Sequence, residues 1–316
     1  MKKLAKISVG VDVSKDFLDV YLYPVKKSLK IGNSTQGLLT LLETLSYYDV
    51  KMVVCESSGG YECFLINTLR EANYKIWQVD PKMIKGFIVS EGIKAKTDAI
   101  DAKMIALFAW EKNRNYEAEI PTTESLKLKE LVIRKAELKH MITMEKLRLS
   151  NPMKNYTKAS MKRLIAFMEK EIQKLEKQID EMIDNNDHWK TKKQIMESVP
   201  GVGKATSSSL IAELPELGKI ESKQITALIG LAPYVKQSGK YRGVAKIRDG
   251  RPAPRKAIYM AALTASRKNP VFKKFYDKLR ENGKKPKVAI VAVMRKMIVT
   301  INAMVKRGEM WSPETI

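Results

Sequence analysis

The sequence changes character at Pro121, and this change limits the possible folds more than any other feature. Before Pro121, short apolar runs of strand length alternate with segments of helical periodicity, whereas the strand signals are lost beyond it. A chain of 316 residues is long enough for two domains and a connector, at the usual size of roughly 150 residues per domain. We therefore predict an α/β domain over residues 1–122, a helical coiled-coil connector over 123–188 and a mainly helical domain over 189–316.

The first domain is predicted to contain a mixed sheet. Its elements follow the order β, β, β, α, β, α, β, α. Strands are indicated by a hairpin near the N-terminus and by apolar runs at residues 29–31, 52–55 and 74–79, and helices by the pattern at about 35–45 and 61–71. A sheet with helices on its faces buries apolar runs in this order. The order is that of a ribonuclease-H-like, or RuvC-like, fold.

Four acidic residues in this region stand where a strand or helix could direct them at a common point. They are Asp12 in GVDVSKD, Glu56 in VVCESSGGYE, and Asp98 with Asp101 in KTDAIDAK, where Thr97 is the predicted N-cap. Gathered carboxylates repel one another and gain stability when a divalent cation lies between them. The pattern therefore predicts a magnesium site that acts on a phosphodiester.

Each acid also has a simpler explanation. Asp98 and Asp101 could merely complement the dipole of a helix, which is worth about 0.3 to 1 kcal/mol each. Asp12 could be a turn residue and Glu56 a surface acid. Four carboxylates in matching structural contexts favour the metal site over these separate explanations. Ser57, Ser58 and Glu62 are instead interpreted as local capping and loop chemistry.

The charge of the chain indicates a polyanionic partner. Lys and Arg total 58 against 35 Asp and Glu, which gives a net charge of +23 and a pI near 9.7. Nucleic acid is the first candidate and an anionic membrane surface the second. We find no apolar run of signal-peptide length at the N-terminus and expect no stretch of about 18 apolar residues that could span a membrane. We therefore expect a cytoplasmic protein without membrane contact.

The scarcity of cysteine and histidine excludes several kinds of chemistry. Cys55 and Cys63 are the two cysteines, and His140 and His188 are the two histidines. Two cysteines exclude a disulfide framework and cannot complete a tetrahedral zinc site. Both histidines lie in charge-rich helical segments, which counts against a serine, histidine and aspartate triad.

The connector is predicted to consist of two long helices. The first covers residues 126–149, and Pro152 interrupts the pattern because proline lacks the amide hydrogen. The second carries apolar residues at alternating spacings of four and three, namely Met161, Ile165, Met168, Ile172, Leu175, Ile179 and Met182. This seam is typical of a coiled coil. Pairing with the first helix and pairing between protomers both remain open.

The third domain begins with a candidate helix-hairpin-helix element in SVPGVGKATSSSLIAEL. Gly201 and Gly203 would expose backbone amides beside Lys204, which suits a sugar-phosphate backbone. The same glycines could equally form a purely structural turn.

A basic loop follows at residues 233–254, with Ser238 before Gly239. Glycine allows the backbone there to bring a side chain close to a ligand. Spacing alone favours Ser238 as a loop hydroxyl that contacts a phosphate over Ser238 as a nucleophile, and Tyr234 and Tyr241 compete with it as nucleophiles. The predicted nucleic-acid contacts of the chain are Lys94, Lys96, Gly201, Gly203, Lys204, Lys236, Lys240, Arg242, Lys246, Arg248, Arg251 and Arg255. Of these, Lys94 and Lys96 could equally be a solvated part of a loop.

Nearly the whole chain resembles a known family. The blocks GVDVSK, ESSGGYE and KTDAIDAK are similar to the RuvC-like domain of the insertion-sequence one-hundred-and-ten transposases, and the blocks PGVGKATSSSLIAEL, GLAPYVKQSGKYRG and RKAIYMAALTASRKNP to their C-terminal domain. These are DEDD recombinases that use a bridge RNA. Each block alone is weak, but their joint occurrence is specific. The chain departs from the family at Asp249, Gly250 and Arg251, where glycine and asparagine are usual.

The resemblance implies a division of labour between domains. Asp12, Glu56, Asp98 and Asp101 would bind Mg²⁺, and Ser238 would attack the phosphodiester and hold DNA as a phosphoserine. The site would be composite, assembled between protomers of a tetramer around donor DNA, target DNA and the bridge RNA. Two other classes remain: a metal-dependent nuclease of the Holliday-junction type that uses water, and a non-catalytic nucleic-acid-binding scaffold.

Overall fold

A computed structural model describes residues 4–92, 98–112, 122–151, 155–235, 237–238, 241–242 and 246–313. The chain divides into two compact units, unit 1 (Met1–Ile120) and unit 2 (Pro121–Ile316). The boundary lies where the sequence changes character. The finer division into three domains stays a prediction.

Unit 1 is a mixed α/β layer structure. Its described strands are β1 (Lys6–Val13), β2 (Phe17–Tyr23), β3 (Lys27–Gly32), β4 (Asp49–Glu56) and β5 (Ile76–Val79), and its described helices are α1 (Thr35–Ser46), α2 (Glu62–Glu71), α3 (Pro81–Ser90) and α4 (Asp98–Glu111). The sheet has the order β3-β2-β1-β4-β5, in which β1, β4 and β5 are parallel and β2 is antiparallel to both of its neighbours. The predicted order of elements is confirmed. A mixed sheet of this kind is compatible with a ribonuclease-H-like domain.

The period-two alternation of β1 explains the two cores of unit 1. Ile7, Val9 and Val11 point to one side, where they pack with buried leucines of α1 and α2. The opposite face carries Val54 of β4 and packs against α3 and α4, in a second cluster. Phe108 of α4 contacts both an aromatic ring of β5 and one of α3 in that cluster. The helix α4 is therefore fixed against the second face of the sheet.

Unit 2 is mainly helical. Its described helices are α5 (Thr123–Leu149), α6 (Lys158–Asp184), α7 (Asp187–Glu197), α8 (Lys204–Glu213), α9 (Ser222–Leu228), α10 (Pro252–Lys268), α11 (Pro270–Glu281) and α12 (Pro286–Arg307). Four two-residue strands lie between α9 and α10, namely β6 (Pro233–Tyr234), β7 (Gln237–Ser238), β8 (Tyr241–Arg242) and β9 (Lys246–Ile247).

Helices α5 and α6 form an antiparallel helical hairpin within the chain. Leu138 and Ile142 of α5 pack with Ile165, Met168 and Ile172 of α6. The seam predicted from the sequence therefore packs against the first helix of the same chain, which is one of the two pairings left open. The coiled-coil geometry itself stays a prediction.

Ion pairs across the helical hairpin fix its direction. Lys139 pairs with Glu176 at 3.3 Å, and Lys146 pairs with Glu169 at 3.0 Å. A rising residue number on α5 thus meets a falling number on α6, as antiparallel packing requires. Exposed pairs of this kind contribute little stability, typically below about 1 kcal/mol each. The ion pairs therefore favour one alignment of α5 along α6 and add little to the free energy that holds the two helices together.

The helix α12 corrects one expectation from the sequence. By length and composition it could cross a membrane, although no such stretch was expected. Its residues Val293, Met297, Ile298 and Ile301 are buried in the main core of unit 2, and 56% of the apolar stretch is buried. A helix that is apolar on most sides is also what the centre of a helical core needs. The packing accounts for the apolar composition of α12.

Candidate active site and nucleic-acid surface

Asp12 and Glu56 lie at the carboxyl ends of the two central parallel strands. Gly10 of β1 pairs with Val54 of β4, and Val11 pairs with Cys55. One further step along the same register places Asp12 opposite Glu56. Since successive side chains alternate across a sheet, both carboxylates stand on the face that carries Val54 and α4. Both side chains are half-buried.

A close backbone contact brings Asp101 to the same face. A Cβ atom at Gly10 would lie 2.3 Å from the carbonyl oxygen of Ala102 and 2.3 Å from the amide nitrogen of Ala106. The backbone of α4 therefore touches β1 at a residue without a side chain. Asp101, which is half-buried, directly precedes Ala102 on this helix.

Several other predicted residues of unit 1 lie outside what the structure describes. The helix α4 begins at Asp98, but the side chain of Asp98 is outside the described residues. Lys94, Lys96 and the predicted N-cap Thr97 lie in the segment 93–97, which is also outside them.

The donor set fits a hard divalent cation. Carboxylate oxygens are the ligands that magnesium prefers in proteins. Among the described side chains, no three carboxylate, imidazole or thiol groups are arranged to hold a metal ion. The structure places Asp12, Glu56 and Asp101 on one face and toward one end of the sheet, but it does not bring these three carboxylates together as a set of metal ligands.

Cys55 is excluded as a further ligand of this group. It precedes Glu56 and belongs to the opposite, fully buried face of the sheet. Burial, with a smaller contribution from the charge of Glu62, raises the pKa of the Cys55 thiol to about 12. The thiolate is the form that binds metal. Because the Cys55 thiol is neutral and lies on the far face, a metal ion bound beside Asp12 and Glu56 would have carboxylate oxygens, and not this sulfur, as its protein ligands.

Asp19 is an acid that the sequence analysis missed. It pairs with Asp12 across the antiparallel strands β1 and β2. Residues paired in this way share a face, so Asp19 stands beside the candidate centre. Its carboxylate forms an ion pair with Lys30 at 3.4 Å, which accounts for its charge. The signal that could have found it is the register of the N-terminal hairpin.

Glu62 organises the loop that follows Glu56. Its side chain, in a residue only 4% exposed, accepts hydrogen bonds from the backbone amides of Ser58 and Gly60, at 3.1 and 2.9 Å, and from the Ser58 hydroxyl at 2.7 Å. The amide group of Gln78 donates to its other oxygen at 2.7 Å. The interpretation of Ser58 and Glu62 as local loop chemistry is confirmed.

The environment of Glu62 keeps it ionised. Burial alone would raise the pKa of its carboxyl, but the hydrogen bonds from its own backbone, from Ser58 and from Gly60 outweigh burial and hold the pKa below the ordinary glutamate value. An ionised acceptor binds amide donors more strongly than a neutral one. Glu62 therefore fixes the backbone just beyond Glu56.

Ser238 lies on a pair of nested hairpins, here called the β-arm (residues 233–247). The outer strands β6 and β9 pair Tyr234 with Lys246, and the inner strands β7 and β8 pair Ser238 with Tyr241. Tyr234 is 43% exposed, and the guanidinium group of Arg248 lies 4.7 Å from the centre of its ring. The side chains of Ser238 and Arg242, and the whole of Lys236 and Lys240, lie outside the described residues.

Two glycines in contact form the base of the β-arm. Gly230 and Gly250 both have positive φ angles, +69° and +67°. A Cβ atom at Gly250 would lie 2.3 Å from the amide nitrogen of Gly230. Any side chain at either position would force the two chain segments that contain Gly230 and Gly250 apart. The arm thus begins and ends at one fixed point.

Arg251 and Arg255 are engaged within unit 2. Arg251 forms a bidentate ion pair with Glu216, with both nitrogen–oxygen distances at 2.7 Å. Arg255 donates to the carbonyl oxygen of Asp249 at 2.5 Å. Both guanidinium groups therefore bind acceptors within unit 2 at the base of the β-arm.

The two glycines of the candidate helix-hairpin-helix have different surroundings. A Cβ atom at Gly201 would lie 2.8 Å from that of Ala265 on α10, so this glycine serves packing. Gly203 is the N-cap of α8 and has open space beside it. Lys204 is exposed, with 72% of its side chain accessible, and pairs with Asp180 at 3.4 Å. Of this element, Gly203 and Lys204 remain accessible to a ligand.

Carboxylates at the end of a mixed sheet, together with a strongly basic helical unit, are typical of enzymes that process nucleic acids. Residues 9–158 match a family model described as a transposase of the DEDD type, and residues 193–277 match one described as "Transposase IS116/IS110/IS902 family". The chain belongs to the IS110 family of transposases. It is therefore an enzyme that acts on DNA.

Curated relatives extend the likeness over the whole chain. Pilin gene-inverting proteins of Moraxella lacunata and Moraxella bovis are each 26% identical over 320 residues, which covers 96% of this chain and 97% of the relative. A protein of Mycobacterium paratuberculosis, named insertion element IS900 uncharacterized 42 kDa protein, is 28% identical over 159 residues, or 48% of this chain and 40% of the relative.

The residues that depart from the family pattern at the base of the β-arm include two with left-handed backbone. Asp249 has a φ angle of 59° and Gly250 one of 67°. Glycine and asparagine favour this left-handed region, and aspartate tolerates it better than most residues. Asp249 and Gly250 are therefore residue types that this left-handed backbone accepts.

Proposed function

We propose that this transposase cuts and rejoins DNA strands through a covalent bond between DNA and Ser238, with Mg²⁺ as cofactor and a bridge RNA as guide. The observation that carries the proposal is the placement of Asp12, Glu56 and Asp101 on one face, at the carboxyl end of the central strands. Ser238 belongs to unit 2, on the β-arm, whose base is fixed by the contact between Gly230 and Gly250.

Asp12, Glu56, Asp98 and Asp101 are the residues that would hold the ion. When bound, Mg²⁺ would supply charge neutralisation at the phosphate and would favour deprotonation of an attacking hydroxyl. The carboxylates orient the phosphate by fixing the cation, and Glu62 holds the loop beside Glu56 in place. No histidine is needed as a base in this arrangement.

The cleavage step exchanges one phosphoester bond for another. The Ser238 hydroxyl loses its proton, its oxygen bonds to phosphorus, and a deoxyribose hydroxyl leaves with a proton. In the second step, a hydroxyl of the other DNA strand attacks the phosphoserine and regenerates Ser238. The number of phosphoester bonds stays constant, so the reaction needs no ATP.

The acids belong to unit 1 and the serine to unit 2, so both units must act on one phosphodiester. The family resemblance supports a composite site built from different protomers of a dimer that assembles into a tetramer. Donor and target DNA would be bound as duplexes, and the bridge RNA would select them by base pairing, as in other guided systems. Because the substrate is DNA and the basic surface suits nucleic acid, we place the protein in the cytoplasm.

The basic surface of unit 2 supports nucleic-acid binding. Lys246 is exposed on the β-arm, and Arg248 is exposed just after it. Lys204 is exposed at the N-terminus of α8 beside Gly203. An exposed lysine at an open helix N-terminus suits a phosphate. Lys236, Lys240 and Arg242 of unit 2, and Lys94 and Lys96 of unit 1, are further proposed contacts whose side chains lie outside the described residues.

Trapping the covalent intermediate tests the role of Ser238. The full chain is incubated with its bridge RNA, Mg²⁺ and a donor DNA that carries a nick beside the cleavage position, and the mixture is resolved under denaturing conditions. We expect an adduct in the wild type and in Tyr234→Phe and Tyr241→Phe, and none in Ser238→Ala. Peptide mapping should place the nucleotide on Ser238.

Three outcomes of that experiment would contradict the proposal. DNA attached to a tyrosine would change the nucleophile. Cleavage without any adduct would indicate a nuclease that uses water. Absence of cleavage in every metal tested would indicate a binding scaffold.

A second arm of the experiment tests the acids. Asp12→Asn removes charge from the centre of the sheet, so we expect no adduct, while affinity for RNA changes by less than about twofold. Asp16→Asn, in the exposed turn after β1, is the matched control and should react like the wild type. Adduct formation at the wild-type rate in Asp12→Asn would refute the metal assignment.

A further inference from the structure

Residues of helices α10, α11 and α12 line an open pocket of about 460 Å³ within unit 2, here called the α10–α12 cavity. Its lining residues stand at helical spacing, with Tyr259 and Arg267 on α10, Tyr276 and Asp277 on α11, and Lys287 in the first turn of α12. Sites for small ligands occupy roughly 300 to 1,000 Å³. The cavity is therefore large enough for one nucleotide.

The charge of the α10–α12 cavity favours an anion. Lys273 is neutralised by Asp277 at 2.7 Å. Neither Arg267 nor Lys287 forms a salt bridge or a hydrogen bond with any residue in the described part of the chain, and both side chains are exposed. Two positive charges thus remain available at the cavity wall.

The N-terminus of α12 adds to this preference. The N-cap residue is Lys285, and its side chain caps no backbone amide of the helix. Pro286 follows at the first helical position, so the next free amide belongs to Lys287. Uncapped amides and the helix dipole both favour a negative charge at this end.

Two tyrosines make the cavity more than a phosphate site. Tyr259 is 38% exposed on α10, and Tyr276 is half-buried on α11. Neither hydroxyl has a hydrogen-bond partner among the described residues. Exposed aromatic rings beside cations are the usual recognition device for an unpaired base and its phosphate.

We propose that the α10–α12 cavity binds one unpaired nucleotide of a single strand. The phosphate lies at Arg267, Lys287 and the N-terminus of α12, and the base stacks on Tyr259. A duplex cannot enter in this way because its bases are stacked on their neighbours. The inference rests on the proposed function only in taking a nucleic acid as ligand, and it is independent of Ser238 and of any metal.

Equilibrium binding to the full chain tests this site. A short fluorescein-labelled single strand is titrated in EDTA and compared with a duplex of equal length by fluorescence anisotropy, with separate DNA and RNA strands. We expect Tyr259→Ala and Arg267→Gln each to weaken single-strand binding by roughly tenfold. Duplex binding should change by less than about twofold.

Two variants serve as matched controls. Lys268→Gln removes an equal charge from the neighbouring residue of α10, which does not line the cavity. Tyr259→Phe keeps the ring and removes only the hydroxyl. Both should retain the single-strand preference of the wild type, and circular dichroism should show an unchanged fold in all four variants.

A fluorescent base reports stacking directly. A strand that contains 2-aminopurine should lose fluorescence when it binds the wild type, and this quenching should be absent in Tyr259→Ala. A stronger response of the RNA strand assigns the site to RNA, and a stronger response of the DNA strand assigns it to unpaired DNA.

The proposal is wrong if Arg267→Gln and Lys268→Gln weaken single-strand and duplex binding equally, because the cavity is then part of a general cationic surface. It is also wrong if quenching persists in Tyr259→Ala. Either failure leaves adduct formation at Ser238 untouched, since that reaction is measured separately with Mg²⁺ and duplex DNA.

Discussion

At the scale of single residues, Gly10 allows α4, the helix that carries Asp101, to lie against β1. Its missing side chain admits the backbone of α4, and Asp101 stands one residue before the point of contact at Ala102. A lone glycine in a strand can mark a close backbone approach, but it does not indicate which segment approaches. The contact joins residues far apart in the chain, so the sequence could predict the acids but could not predict what brings them to one face.

We expect Gly10→Ala to lower the free energy of unfolding by about 2 to 4 kcal/mol, because its Cβ atom meets backbone that cannot rotate away. Displacement of α4 should also abolish adduct formation. Gly86→Ala in α3 is the matched control, because that site has open space. It should be neutral or more stable by up to about 1 kcal/mol. Equal urea-unfolding curves for the two variants would show that α4 does not touch β1.

Glu62 should make the stability of the chain depend on pH. Its pKa is lower in the folded state than in the unfolded chain, because hydrogen bonds to the carboxylate outweigh burial. Its contribution to stability is therefore present above the ordinary glutamate pKa and is lost as the pH falls through the lower, folded value. Urea unfolding between about pH 7 and 3 should show this loss in the wild type and a flatter profile in Glu62→Gln.

The pH profile also separates Glu62 from surface acids. Glu43→Gln, an exposed change on α1, should leave the slope of the wild-type profile unchanged. A Glu62→Gln protein with the wild-type slope would mean that the Ser58 and Gly60 bonds do not favour the charged form.

At the scale of elements, the helical hairpin shows both what an apolar stripe reveals and what it leaves open. The stripe on α6 was visible in the sequence because its spacing is regular. Its partner was not, since a stripe does not specify which surface covers it. The ion pair between Lys146 and Glu169 shows that α5 covers the stripe. The sequence could not predict this pair, because lysine and glutamate are so common on both helices that many other pairings are equivalent.

The β-arm shows the opposite case. The sequence predicted a basic loop there and no strands, because strands of two residues are too short to show an alternating pattern. The contact between Gly230 and Gly250 holds the two ends of the arm together, and this contact does not depend on an apolar pattern in the sequence.

We expect Ile172→Asp to unfold the helical hairpin locally without changing the mass of the protein. Ile172 is buried against α5, so a carboxylate there is desolvated without a partner, which costs about 3 kcal/mol or more. Gln173→Asp, at the exposed neighbouring position, should be nearly neutral. Circular dichroism and urea unfolding measure the first effect, and light scattering measures the mass. A lower mass for Ile172→Asp would show that the seam also joins protomers.

At the scale of the whole molecule, the excess of positive charge dominates binding. A net charge of +23 attracts nucleic acid whatever its sequence, and this property was fully predictable from composition. Which cations serve binding was not predictable, because Arg251 and Arg255 look the same in a sequence as Lys246. The structure gives the two arginines partners within the chain, and on this ground we propose that Lys246, and not Arg251 or Arg255, contacts phosphate.

Salt dependence should distinguish these two groups of cations. Neutralising Z phosphates gives a slope of about −0.9Z for log affinity against log salt on duplex DNA. Lys246→Gln should make this slope shallower by about 0.9 if the lysine contacts one phosphate. Arg251→Gln should keep the slope and instead lower the free energy of unfolding by roughly 1 kcal/mol, since its pair with Glu216 is partly solvated. The reverse result would exchange the two roles.

The docking of α4 on β1 has a consequence for the order of synthesis. A ribosome releases the chain from its N-terminus, so all five strands of unit 1 emerge before α4 does. During that interval the nascent sheet carries Asp12 and Glu56 without α4, the helix that bears Asp101. The candidate centre forms only after nearly all of unit 1 has been made. We therefore expect partly made chains, which lack both α4 and Ser238, to be unable to cut DNA near the place of their own translation.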